Sequence, residues 1–241
     1  MIDRNSFTEV VEAFMTGEMK RLFQRIPAAR HLADEKVALS ENYYLRHRME
    51  TVKRIWLTSQ TDALALAAMV DEDYESARWW SKYIYQELNH DLLYLSDLHK
   101  HGLTTEQIVA VPVYRSTKAM VGYIRNQIPL IGSMAAVSYS VWVEWNSDKT
   151  SSIVVERARI KYSEDHVKGA RAHVGIDLNE DHYRIMLDVI YRLIMRKGGD
   201  AINFFLMLRH LTDFVADYFE ELEEEVNSAS FAVMNASETF A

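Results

Sequence analysis

Glu87 and His90 stand three residues apart in the run Tyr85-Gln-Glu-Leu-Asn-His-Asp, close behind Trp79, Trp80, Tyr83 and Ile84. On an α-helix that spacing puts a carboxylate and an imidazole on one face, about a turn apart. The pair then offers oxygen and nitrogen donors to a metal such as iron, as in carboxylate-bridged diiron bundles. An isolated Glu-x-x-His is more commonly a solvated surface pair, so its meaning depends on what else converges on it.

Glu144 is the second such residue. It sits in Met134-Ala-Ala-Val-Ser-Tyr-Ser-Val-Trp-Val-Glu-Trp, where almost every neighbour is apolar or aromatic. A buried carboxylate has to be neutralised, salt-bridged or bound to metal, and Arg157 or Arg159 is the natural salt-bridge partner. A third segment, Ala172-His-Val-Gly-Ile-Asp-Leu-Asn-Glu-Asp-His-Tyr, sets His173 and Asp177 at i and i+4 on one helical face. His182 lies five residues beyond Asp177, which on a regular helix turns it about 140° away. Either a bulge or loop near Leu178–Asn179 returns His182 to that face, or Asp181, at i+8 from His173, stands in for it. Read jointly, the three segments supply the donor set of a two-iron site with positions left open for O2 and substrate. His31, His47, His99, His101, His166 and His210 have no comparable partner set.

The elements that must position these residues read as helices. Ser6, with Glu9 at the capping-box position, is the expected cap of a first helix running to Arg25. Ser40 opens a second helix to about Val70, and Tyr74 to Lys100 reads as one helix stopped by Gly102. A short helix follows Thr104, another runs to about Gln127, and Pro129 is expected to start the apolar helix that carries Glu144. Asn146-Ser-Asp-Lys reads as its end, with Ser151 or Ser152 starting the next. His166 to Arg196 reads as helix with an irregularity within Val174–Asn179, Lys197-Gly-Gly-Asp is a stop, and a last helix runs from Ala201 to about Val226. No strand pair is evident, and eight Gly and three Pro in 241 residues favour long helices. The expectation is an all-α protein of about seven to nine helices, one domain over residues 1–226, with a weakly ordered tail at 227–241.

Composition narrows the function classes. The chain is 49% hydrophobic and 26% charged, with a net charge of −8, so it offers no basic face for nucleic acid. It has no Cys, which excludes disulfides, thiolate catalysis and iron–sulfur ligation. Ile128 to Trp145 is apolar, but Pro129, Gly132 and Glu144 mark it as a buried helix and not a membrane span. The N-terminus carries no secretory pattern, so the expected location is cytoplasmic. The acidic run Glu220 to Glu225 reads as a solvated helix face, at the edge of an expected homodimer.

At Glu87, His90, Glu144, His173, Asp177 and His182 the chain resembles the haem-oxygenase-like diiron oxidase superfamily, whose CADD, UndA and SznF-like members share the TenA/PqqC fold. The resemblance spans roughly residues 6 to 226, although its specific part is those six positions. It implies a haem-oxygenase-like helical bundle holding two Fe ions as metal cofactor, with O2 as cosubstrate. The implied activity is oxidation of a small amino-acid- or fatty-acid-like substrate in a biosynthetic pathway, with an external electron donor where the reaction needs one. The family pattern is His-x-x-x-Asp-x-x-His, and the extra Leu178 and Asn179 leave His182 and Asp181 in competition for the last position. The absence of Cys separates the chain from TenA-type thiaminases, and the full carboxylate–histidine set separates it from cofactorless PqqC-like oxidases. Arg157 and Arg159, beyond the Glu144 helix, are candidates for holding a substrate carboxylate. Tyr43, Tyr44, Tyr83, Tyr85 and Tyr139 are candidates for the surroundings of the centre. The alternative function is a catalytically idle or cofactorless member of the fold that works as a protein-binding or regulatory module.

Overall fold

A computed structural model describes residues 3–228, apart from the side chains of residues 177–179. The described residues form α1 (Arg4–Arg25), α2 (Glu41–Glu72), α3 (Tyr74–Glu87), α4 (His90–Lys100), α5 (Thr105–Ala110), α6 (Arg115–Ile131), α7 (Met134–Lys161), α8 (Lys168–Glu180), α9 (His182–Arg196) and α10 (Ile202–Asn227), with no strand among them. The protein is all-α. Most of the expected tail, residues 229–241, lies outside the described residues. No helix among the described residues is long and apolar enough to cross a membrane.

Several helix ends follow from local chemistry. Ser40 caps α2 by accepting the Tyr43 N–H, and Thr104 caps α5 in a reciprocal capping box with Gln107. At α1 the cap is Asp3 and not Ser6: its carboxylate accepts the N–H groups of Asn5 and Ser6. Asp73 caps α3 through the Ser76 N–H and hydroxyl, and also accepts Arg192 Nε of α9 at 2.9 Å. Burial pushes its carboxyl upward, but the bonds from Arg192 and Ser76 outweigh this and hold it at about 2.

Pro129 does not start a helix. It sits in the last turn of α6, where its missing N–H would have met the exposed Arg125 carbonyl, which water can satisfy. The break falls at Gly132, with φ +79°, where a Cβ would stand 1.7 Å from Glu72 Oε1. That close approach lets Glu72 accept the Ser133 N–H at 3.1 Å.

Two apolar clusters make the interior. One gathers α1, α3, α6 and α9 around Phe7, Trp80, Ile190 and Phe204. The other gathers α4, α5 and α8 around Tyr44, Leu98, Ile108 and Val167. The long helices α2, α7 and α10 contribute to both, so a residue near the middle of α7 lies where the clusters meet. Glu144 is at that level.

Candidate metal centre

Five of the residues singled out from the sequence converge there. Glu87 ends α3, His90 begins α4, Glu144 lies in α7, His173 in α8, and His182 opens α9. Their ligand atoms form two groups, Glu87–His90–His173 and Glu87–Glu144–His182, each with atoms within 4.8 Å of one another. Glu87 belongs to both, with one oxygen directed at each. Its Oε2 lies 3.0 Å from His90 Nδ1, and its Oε1 lies 3.5 Å from His182 Nδ1. His182 Nδ1 is also 4.0 Å from Glu144 Oε2, and the His90 and His173 rings stand 4.1 Å apart. Asp177 belongs to α8, but its side chain lies outside the described residues.

The two helix interruptions create this convergence. The helix expected from Tyr74 to Lys100 breaks at Leu88–Asn89, so Glu87 and His90 come from a helix end and a helix start. The irregularity expected within Val174–Asn179 falls instead at Asp181, which adopts φ +52° and ψ +50°. One left-handed residue resets the helical phase. It turns Asp181 outward, its side chain 58% exposed beside Arg184, and returns His182 inward to 1% exposure. Asp181 is thereby removed from the cluster, and the 140° offset of a regular helix no longer applies.

Surrounding groups hold the donors in place. Tyr83 donates its hydroxyl to Glu144 Oε1 at 2.8 Å, so the buried glutamate is held by a phenol and not by Arg157 or Arg159. Burial, then the carboxylates of Glu144 and Glu87, push the Tyr83 hydroxyl well above its ordinary range, so it remains a donor. Gln86 Oε1 lies 3.0 Å from His182 Nε2. An amide oxygen can only accept, so this contact favours the tautomer with Nε2–H and leaves Nδ1 facing Glu87 and Glu144.

Gly169, in the first turn of α8, sets the approach of the His173 helix. A Cβ there would stand 2.0 Å from the Leu93 carbonyl oxygen of α4. The tight contact lets Asp97 accept the Gly169 and Ala170 N–H groups at 2.7 Å each. Gly169→Ala is expected to push α8 off α4, cost about 1–3 kcal/mol, and part His173 from His90. A thermal melt together with iron uptake checks this, and wild-type values for both would refute it.

The cluster opens on a cavity of about 210 Å³ that reaches Glu87, Glu144 and His173. Asp62 and Tyr139 are on its wall. Burial first, and the Glu87 carboxylate second, push Asp62 up to about 8, and burial lifts Tyr139 to about 12. Sequence alone does not single out Asp62, although an acid directly before Ala63-Leu-Ala-Leu-Ala-Ala carries the same kind of signal as Glu144.

The proposed carboxylate role of Arg157 and Arg159 finds no geometry to support it. Arg157 donates to the carbonyls of His31, Leu32 and Val37, and Arg159 pairs with Glu156 on the surface. Tyr43 donates to the Ala28 carbonyl, Tyr44 packs in the second cluster, and Tyr85 is exposed. The acidic run is not a free face either: Glu221 accepts from Ser116 and Arg115, and Glu225 from Arg46 and Tyr114.

The donors present fit a metal pair. Among the described residues Glu87 Oε1 is buried without a hydrogen-bond partner, a state that costs free energy unless a cation or proton meets it. Mixed carboxylate and imidazole donors are what iron accepts.

No family model matches the chain, and no curated protein matches it in sequence. Solved structures do match. A domain of unknown function with a haem-oxygenase-like fold from Shewanella denitrificans superposes with a TM-score of 0.75 at 16% identity, covering 94% of both chains. A protein described as a TenA family transcription regulator, from a Silicibacter species, gives 0.70 at 9% identity, covering 88% of this chain and 95% of its own. A TenA homolog from Pseudomonas syringae pv. tomato gives 0.63 at 16% identity, over 86% and 93% respectively. At these identities the likeness is one of fold. The chain has the haem-oxygenase-like fold shared with TenA proteins.

Proposed function

We propose that the chain is a non-haem diiron oxidase or oxygenase that uses O2 to oxidise a small organic substrate. The observation that carries this reading is the placement of Glu87, with one oxygen directed at His90 and the other at His182. Each half of the cluster then adds its own donors, His173 on one side and Glu144 on the other. A single cation would not call for two such groups sharing one carboxylate, and a bare binding module would not keep Glu87 Oε1 buried without a hydrogen-bond partner among the described residues.

Two bound irons would supply the one-electron chemistry that O2 needs and that amino-acid side chains lack. The residues of the chain do the rest. Glu87, His90, Glu144, His173 and His182 would hold the metals, and Asp177 shares the helix of His173 one turn on. Tyr83 fixes the Glu144 carboxylate through its hydroxyl, and Gln86 fixes the His182 ring. Ile84 and Val143 line the cavity beside them and limit water at the reacting end.

The test is anaerobic loading with Fe(II), followed by O2 exposure and Mössbauer spectroscopy. About two irons per chain and a coupled ferric pair after O2 are expected, with the pair lost and about one iron left in Glu144→Ala, which removes a donor from one of the two groups. Iron at background level in the folded wild-type protein would refute the reading and favour the idle module.

A further inference from the structure

The chamber beside the carboxylate–histidine cluster adjoins a second, larger cavity of about 450 Å³, and the two share His47, Arg48, Arg54, Asn146 and Ser151 on their walls. The larger cavity is apolar along Leu22, Phe23, Trp142, Val154, Val215 and Phe219. The junction between them is cationic.

Arg48 is 8% exposed, and among the described residues its Nε is buried without a hydrogen-bond partner. Its guanidinium lies 5.2 Å from the Tyr44 ring and 5.0 Å from the Tyr94 ring. Asp97 is the carboxylate whose charge it feels, yet that group is already committed to the Gly169 and Ala170 N–H groups. Arg54 lies 5.5 Å from the Tyr218 ring. The contrast with Arg46 on the same helix is direct. Arg46 pairs with Glu50 and Glu225 at 2.9 and 2.8 Å, whereas neither Arg48 nor Arg54 forms an ion pair among the described residues. Burial, and then Arg48, Arg54 and Arg46, hold the neighbouring His47 well below its ordinary range, so it stays neutral and adds no third charge. With no carboxylate of the described residues in contact and only the more distant charges of Asp97 and Glu50 to offset them, the two guanidiniums are left able to take an anion that enters.

We propose that Arg48 and Arg54 are the anion-binding locus of the substrate, an amphipathic organic acid whose charged oxygens lie at the junction and whose apolar body fills the larger cavity. The inference rests on the proposed oxidase reading only in calling this ligand the substrate. A guanidinium pair recognises a carboxylate or a phosphate monoester through the same charge-assisted bonds. Glu87 and Glu144 also line the small chamber and repel the same anion, while Asp62, pushed up to about 8 by burial and by Glu87, adds no charge at neutral pH. The charge is therefore held at the junction and kept from drifting onto the metal ligands.

The test uses metal-free protein, so that no anion can bind by coordinating iron. Calorimetric titration compares phenylbutyrate with its neutral amide and with phenylpropyl phosphate. Either anion is expected to bind roughly tenfold or more tightly than the amide, and the tighter of the two identifies the head group. That preference should collapse in Arg48→Met and in Arg54→Gln, and persist in Arg157→Met. Equal binding of acid and amide, or a preference that survives both substitutions, would overturn the proposal. If Arg48→Met does not fold, the wild-type comparison and the half-buried Arg54 decide. Iron content, measured separately, is expected to be unchanged in Arg54→Gln. A wild-type protein that binds the anion but no iron would sink the oxidase reading and leave this site standing.

Discussion

Glu87→Ala should empty both halves of the proposed metal centre at once, taking iron from about two per chain to background. His173→Ala and His182→Ala should each leave about one iron, because each belongs to only one of the two groups. Even partners outside the coordination sphere change metal affinity by roughly 10–100-fold, so loss of a shared ligand is expected to exceed that. The same substitution should barely affect the metal-free fold. Glu87 Oε1 has no hydrogen-bond partner among the described residues, and the Glu144 carboxylate shares the cavity wall with it. Removing one carboxylate from such a group relieves repulsion, which offsets the lost bond to His90. The metal-free stability of Glu87→Ala is expected to stay within about 1 kcal/mol of wild type or to rise, as at sites where function is kept at the expense of stability. Colorimetric iron analysis and a thermal melt on the same preparations check both halves. Retention of both irons in Glu87→Ala would end the shared-carboxylate reading.

Most of the candidate centre was legible because each residue that converges there is anomalous in its own segment. Glu144 is an acid in an apolar helix, and Glu87–His90 and His173–Asp177 have helical ligand spacing. What was not legible is backbone phase. Nothing in Leu88-Asn89 carries the Gly or Pro that usually marks a break, yet the chain interrupts there, and Asp181 adopts a left-handed conformation that L-residues rarely take. Asn146-Ser-Asp-Lys misled in the opposite direction. Thr150 donates to the Asn146 carbonyl at 2.8 Å and the Ser147 and Ser151 hydroxyls meet at 2.9 Å, so the polar run is satisfied within α7. Packing of Val154, Val155 and Ala158 in the second cluster then carries the helix on to Lys161, a case of tertiary contact overriding propensity. Arg48 and Arg54 read as ordinary helix arginines, because burial and missing counter-ions are properties of the assembled bundle.

The acidic run near the C-terminus gives the largest expected stability effect, through Glu50. Glu225, read from the sequence as solvated, accepts Arg46 Nε at 2.8 Å and the Tyr114 hydroxyl. Arg46 also donates to Glu50 at 2.9 Å and to the Pro112 carbonyl at 3.0 Å, with its guanidinium 3.8 Å from the Tyr114 ring. Glu50 in turn accepts the Tyr114 N–H at 3.1 Å, at the start of α6. The Arg46 and Glu50 side chains are 1% and 0% exposed, so the part of this network that ties α2 to the start of α6 is out of water, while Glu225 of α10 closes it from a partly exposed position. Glu50→Ala would leave the Arg46 charge half-compensated and the Tyr114 N–H unpaired, an expected loss of about 3–5 kcal/mol. For a chain of this length that is a fall of roughly 10 °C in Tm. Replacing both partners, as in Arg46→Met with Glu50→Met, should recover much of the loss, since an apolar pair of similar volume needs no desolvation of charge. A double-mutant cycle read by urea denaturation separates the outcomes. If the double variant is no more stable than Glu50→Ala, the loss comes from the α6 cap and not from the stranded guanidinium.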